Sequence, residues 1–337
     1  MTRPEEVLDV KEWFTCNVPR KDLKILLKRD NYHAAFYFGL WFLLLGATGY
    51  LAFYTWPTLW AIPAFLLYGV VYSSGNARWH EASHGTAFKT SWVNDVFYFF
   101  CGAMELRDTV DFRWSHARHH SYTLMRGVDA EIPADRPPNL FFVVLDFFYL
   151  YNGTFALINL FLHSVGIPSK KVRAYVPKEE YRSLFWSARA VLALHGAVIV
   201  LSILTRSILP LLFFTLPRFY GGILQWSFIL SQHAGMHENV WDHRLCTRSV
   251  RCNFVFSFLF MNMENHVEHH MYPLVPFHAL PALSRRIKAE MVSEYPSLAG
   301  ALLIEIFPAL LRQWKEPGFS VARTLPGTGE GENKDGG

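Results

Sequence analysis

Residues 265–273 read NHVEHHMYP, three histidines within five positions, near the end of a stretch that is otherwise apolar and aromatic. Two other segments resemble it. HEASH carries His80 and His84, and HARHH carries His116, His119 and His120, beside His266, His269 and His270 in HVEHH. Residues three and four apart on a helix share a face, so each box is expected to point its imidazoles the same way. Histidine occurs 15 times in 337 residues. At that frequency HxxHH would arise by chance about 0.03 times per chain, and it occurs twice.

The surroundings of the boxes are those of a membrane protein. The chain is 51% hydrophobic and 16% aromatic, with a positive mean hydropathy, which a water-soluble domain of this size does not tolerate well. Apolar stretches long enough to cross a bilayer place spans at about 34–56, 58–78, 188–204 and 207–230. The first pair is hinged at Pro57, and both joining turns are short, so each pair reads as a transmembrane hairpin. Those turns hold only Arg206 between them, whereas Lys21–Arg29, Lys170–Arg182 and the tail after Arg285 are rich in Lys and Arg. The positive-inside rule therefore puts the large arms in the cytoplasm. Val93–Leu106 is too short to cross, and Leu140–Val165 contains Asp146, Asn152 and Gly153. Both are expected to lie on the cytoplasmic face as interfacial helices.

These assignments divide the chain into an interfacial segment over 1–33, a membrane domain over 34–290 with its cap at 79–187 and 231–290, an amphipathic helical segment over 291–322, and a disordered tail over 323–337. The charged N-terminus is not expected to act as a signal peptide. Cys16, Cys101, Cys246 and Cys252 form no CxxC pair, which suits a reducing compartment and argues against a thiolate metal site. The net charge of +4 matches a cytoplasmic-leaflet bias, and nucleic acid is not an expected partner.

Imidazoles suit iron, zinc, copper or nickel, and eight or nine of them exceed what one ion accepts. Two ions are implied. A structural zinc site closes at four ligands, often with cysteine, so a redox iron pair that delivers electrons to dioxygen is the expected occupant. The first box continues the second span past the membrane face, and His233 does the same for the fourth. The ligands can thus converge just above the two hairpins. Ligating imidazoles need an acceptor at the second ring nitrogen; Glu81, Glu264, Glu268, Asp108, Asp111 and Asp242 are near enough in sequence, with His237 and Asn265 as further neighbours.

With HEASHGT, HARHHSYT, NHVEHHMYPLVPFHALPAL and QHAGMHENVWDHRL, residues 34–290 resemble the integral-membrane fatty acid desaturase and hydroxylase superfamily. The resemblance implies an all-α integral membrane fold, four transmembrane helices in two hairpins beneath a cytosolic helical cap carrying a di-iron histidine cluster. Carried over residue by residue, it makes His80, His84, His116, His119, His120, His266, His269 and His270 ligands, with His233 as the ninth. Acyl-CoA desaturases of the superfamily have an asparagine one turn before that ninth histidine, and here the position holds Ile229.

The implied cofactors are two Fe ions, with O2 as co-substrate. The implied activity is desaturation of a fatty acyl chain; hydroxylation or another mono-oxygenation on the same scaffold is the alternative. A metal transporter would need polar ligands near the bilayer midplane and a membrane haem protein would need facing histidines on its spans, whereas these histidines cluster at the cytosolic ends. Neither GxGxxG in a strand-turn-helix setting nor HPGG occurs, so electrons are expected from a separate ferredoxin, cytochrome b5 or reductase-type donor. The expected location is a bacterial inner membrane, with membrane lipids as partners.

Four further features have ordinary readings. Pro168–Arg182 reads as a loop touching anionic lipid. Arg218, after Pro217, reads as a site candidate, a snorkelling side chain or a helix break. His195 reads as a packed histidine, and His33 and His163 as interfacial ones.

Overall fold

The structure is a computed structural model that describes residues 12–326. Among the described residues the regular elements are all helical; the extended pairings are isolated bridges, Phe14 with Asp242 and Val250 with Tyr295. The expected tail over 323–337 lies largely outside the described residues. Within them, Arg323 bonds Glu305 at 2.7 Å.

Tyr32–Thr55 is one unbroken helix of 24 residues, about 36 Å long. It is apolar around its whole circumference, as a lipid-facing helix must be. The chain turns over residues 56–60 and returns as Ala61–Ser73, packed against the first helix. After Ser74 it resumes as Gly75–Ser83, which carries the first box. Tyr181–Leu204 is the second long apolar helix, preceded by a short turn from Lys178.

The four expected spans are therefore not four long helices. Tyr32–Thr55 and Lys178–Leu204 are long and apolar enough to cross a membrane. A further candidate is a pair, Leu140–Phe148 and Leu150–Ser164, bent by 74°. The bend falls at Tyr149, whose φ of 52° is left-handed. The segment read as the fourth span is assembled from a wide helical turn at Leu211–Thr215, the short helix Pro217–Tyr220, and Ile223–His233. Proline supplies no amide hydrogen and so breaks the helical ladder at 210 and 217. A second cause is a backbone contact: a Cβ on Gly221 would lie 1.9 Å from the Gly69 carbonyl carbon. Only glycine lets these two segments meet so closely.

Ser91–Met104 is a 14-residue helix, about 21 Å long and too short to span. Beyond residue 290 the chain is helical through Leu298–Gly300, Ala301–Ile306 and Phe307–Lys315. Leu303, Ile304, Leu311 and Trp314 point outward from this segment, so its apolar face is turned to the surroundings.

Several polar residues are explained by packing. Arg218 is buried, with its Nε donating to Glu105 Oε2 at 2.8 Å and its guanidinium 4.3 Å from the Tyr149 ring centroid. A charge so placed does not snorkel; it is neutralised where it stands, beside the helix break at Pro217. His195 is packed as expected, between Thr215 Oγ1 at 3.1 Å and the Ala103 carbonyl at 3.0 Å. His163 is not interfacial: it is fully buried, 3.0 Å from Asp108 Oδ2. In the core, Phe228 stacks on Phe260 with ring centroids 3.8 Å apart, worth roughly 0.5–1.5 kcal/mol beyond the area buried.

Candidate metal centre

Four helices bring the histidines together. Gly75–Ser83 holds His80 and leads to His84, Thr109–Ser121 holds the second box, Ile223–His233 ends on His233, and His266–Met271 is the third box. Asp108 caps the second-box helix by accepting the Asp111 amide at 2.8 Å, so the helix begins at a fixed point one turn before Phe112. His233 closes its helix because Ala234 is extended and Gly235 takes φ of 81°.

The nine residues fall into two groups whose ligand atoms all lie within 4.8 Å of one another. One comprises His80, His84, His116, His120 and His269; the other comprises His119, His233, His266 and His270. The groups adjoin, with His120 of the first stacked on His270 of the second at 4.3 Å. His237 is in neither.

The boxes do not each point one way. Adjacent residues on a helix differ by about 100°, so His119 departs from His120, and His269 from His270, toward the other group. His116 and His120, like His266 and His270, are four apart and stay together.

Hydrogen bonds determine where the protons sit. His116 Nδ1 faces Glu131 Oε2 at 2.8 Å, and His119 Nδ1 faces Asp129 Oδ2 at 2.9 Å. His233 Nδ1 donates to the Cys246 carbonyl at 3.1 Å. Thr123 gives its hydroxyl proton to the His119 carbonyl at 2.8 Å, so at 3.1 Å its oxygen accepts from His270 Nδ1. In each neutral ring the Nε2 is then a bare lone pair.

These lone pairs converge. His116 Nε2 lies 3.1 Å from the Nε2 atoms of both His84 and His120, and His266 Nε2 lies 3.2 Å from those of both His233 and His270. His266 has one proton at most for two bare acceptors. Two nitrogens bound at about 2.1 Å and at right angles to one ion stand about 3.0 Å apart, so the spacing fits ligands sharing a cation. His80 and His269 reinforce this, since neither ring nitrogen of either residue meets a protein hydrogen-bond partner although all four atoms are buried. An all-imidazole donor set matches iron and other first-row cations.

Burial also keeps the rings neutral. It pushes His84 down to about 4 and His233 down to about 3, with the neighbouring His119 adding in each case. His119 goes the other way: burial lowers it, but the Asp129 carboxylate more than offsets this. Neutral imidazole is the ligating form.

The acids nearest in sequence bond elsewhere. Glu81 accepts from Thr86 at 2.6 Å and from the Phe277 amide at 3.2 Å, and burial pushes its carboxyl up to about 7. Glu268 accepts from Ser249, Glu264 from Ser257, and Asp111 from Tyr175, while Asp242 pairs with Arg244. Asn265 donates to the Asn262 carbonyl, and the His237 amide to the Leu245 carbonyl. The carboxylates that meet the rings are Asp129 and Glu131, missed by sequence reasoning. Their signal is the short VDAE run following the second box, in a loop that folds back over its own helix. His243 was also missed. Its ring lies 5.1 Å from that of His270 and stacks at 4.0 Å on Trp13.

Residues 54–299 match the family described as fatty acid desaturase. A protein of Caenorhabditis elegans described as Delta(5) fatty acid desaturase fat-4 is 22% identical over an alignment of 269 residues that covers 70% of this chain and 59% of that protein. The chain thus spans under two thirds of that relative's length. The family match takes in all three histidine boxes and more than half of the sequence: the chain belongs to the fatty acid desaturase family.

Proposed function

We propose that this protein is an O2-dependent di-iron desaturase that introduces a double bond into a fatty acyl chain. The observation that carries the reading is the convergence of proton-poor Nε2 lone pairs into two adjoining groups, one of five histidines and one of four. His80, His84, His116, His120 and His269 would hold one iron, and His119, His233, His266 and His270 the other. Bound there, the iron pair would supply the reduction of dioxygen and the removal of hydrogen from an unactivated C–H bond. Ile229 leaves the four-histidine group without the amide ligand found in acyl-CoA relatives.

The protein's own contribution is to orient, exclude and bind. Asp129, Glu131, Thr123 and the Cys246 carbonyl hold four rings in the tautomer with Nε2 free. Trp79 stacks on Phe112 at 3.6 Å, and Phe112 on His116 at 4.9 Å, an aromatic wall that keeps water from that side. An open groove of about 370 Å³, lined by Leu66, Val70, Ile223, Leu224, Phe256 and Leu302 among others, has the size and apolarity of a ligand site. Ser227, also in its lining, is six residues from His233, about 9 Å along the helix. An acyl chain lying in the groove would have its methylenes near the histidines.

Under this proposal the chain is a multi-pass protein of a bacterial inner membrane. Four crossings in two hairpins place the histidine cap on the cytoplasmic face, Leu140–Val165 lies at the interface, and a separate one-electron carrier protein supplies reducing equivalents.

The test is iron content together with product mass. The purified chain should hold close to two irons, and a host expressing it should accumulate acyl chains lacking two hydrogens. His119→Ala and His270→Ala should lower iron and abolish turnover. Products that gain one oxygen would replace desaturation by hydroxylation, and full activity in either variant would remove the site assignment.

A further inference from the structure

A second cluster of donor atoms lies outside the nine histidines. Asp30 and His33 stand at the start of the first apolar helix, and His278 follows the third box by eight residues. Asp30 Oδ2, His33 and His278 present ligand atoms within 4.8 Å of one another. Asp30 Oδ2 is 2.7 Å from His33 Nδ1 and 3.6 Å from His278 Nε2. The two imidazoles are stacked nearly parallel, 7° apart with centroids at 4.6 Å, so their edges meet the carboxylate together.

We propose that Asp30, His33 and His278 form a separate binding site for a zinc-class divalent cation. Two imidazoles and one carboxylate are a zinc-type donor set, with a fourth position left for water. Tetrahedral ligands bound at about 2.05 Å stand about 3.3 Å apart. The 3.6 Å pair is already near that spacing. The 2.7 Å pair is a hydrogen bond whose proton a cation displaces, and His33, half exposed, is free to swing out by the required distance. Asp30 Oδ1 is engaged with the His33 amide at 2.8 Å, which leaves a single oxygen, Oδ2, facing both rings.

The position gives the site a role. Arg29 donates to the Gly85 carbonyl at 2.8 Å, and Asn31 exchanges hydrogen bonds with Thr90 at 2.9 and 3.1 Å, so residues 29–33 are fastened to the segment that follows the first box. On the other side, Phe277, next to His278, donates its amide to Glu81, between the two histidines of the first box. A cation joining 30 and 33 to 278 would close this frame around the first box. Its effect is to stiffen the support of the five-histidine group, not to take part in the reaction.

The experiment uses the full chain, iron-loaded in detergent micelles, equilibrated with zinc sulfate and freed of unbound metal, with zinc and iron per chain measured separately. The wild type should bind one zinc with its iron unchanged, and its thermal midpoint should rise with zinc, because a ligand that binds only the folded state stabilises it. His33→Ala/His278→Ala should bind zinc at least about tenfold more weakly, keep its iron, and show no shift of midpoint. If the double variant fails to fold, as loss of iron would show, His33→Ala alone removes an exposed ligand and serves instead. Equal zinc binding by wild type and variant overturns the proposal, as does no zinc bound by the wild type or zinc gained only as iron is lost. Iron content tests the di-iron reading independently, so the two can fail separately.

Discussion

Asp129→Asn isolates the role of the carboxylate behind His119. The side chain is fully buried and accepts three hydrogen bonds: the His119 Nδ1 proton at 2.9 Å and the Leu124 amide at 2.8 Å on Oδ2, and the Glu131 amide at 2.8 Å on Oδ1. Asparagine has the same shape but one oxygen. If that oxygen faces Glu131, the NH2 group meets the donors of His119 and Leu124, and His119 must move its proton to Nε2, where it blocks ligation. If it faces His119, the NH2 group meets the Glu131 amide and the loop loses a bond. Each lost bond to a charged acceptor costs about 1.5–3 kcal/mol. If that cost falls on the ligating state, iron at the four-histidine group weakens about 10- to 100-fold. The assay is chelator competition followed by iron determination, with Asp135→Asn, an exposed acid in the same loop, as control. Wild-type and control protein should retain close to two irons where Asp129→Asn retains nearer one. Iron affinity within about twofold of wild type would refute the reasoning.

His233→Ala should lose iron from the four-histidine group while His237→Ala keeps it, since Gly235 turns the chain away; equal loss would contradict that geometry. Metal-free protein should weaken on acidification. Burial holds His84 at about 4 and His233 at about 3, whereas the unfolded chain binds those protons at about 6.5. Stability is therefore full above about pH 6.5 and falls by about 1.4 kcal/mol per pH unit for each histidine until the folded values are reached. A denaturation midpoint unchanged between about pH 7 and pH 5 would count against buried neutral rings. For topology, a cysteine placed at Thr205, the end of the second long helix, should react with an impermeant reagent from outside, and one at exposed Lys170 should not. The reverse pattern would mean that Leu140–Ser164 crosses the membrane.

The features that can be read from the residues alone are local ones. The spacing of three and four between histidines is a property of one helix, and so is the circumferential apolarity of Tyr32–Thr55 and Tyr181–Leu204. The 100° step that sends His119 and His120 to different groups is local too, but the spacing read alone put every ring of HARHH and HVEHH on one face. Which rings meet depends on how distant helices pack: His269 joins the first and second boxes, and His233 joins His119 and the third. Acid partners belong to the same class. Glu81 and Glu268 adjoin box histidines in sequence, yet the helical step turns them away to Thr86 and Ser249. Asp129 and Glu131 reach the rings because a loop, whose path no periodicity encodes, folds back over the second box. Breaks in the second and fourth apolar segments were half legible. Pro210 and Pro217 announce a weakened ladder, but the contact of Gly69 with Gly221 depends on two segments 152 positions apart in sequence being pressed together, and that proximity exists only once the chain has folded.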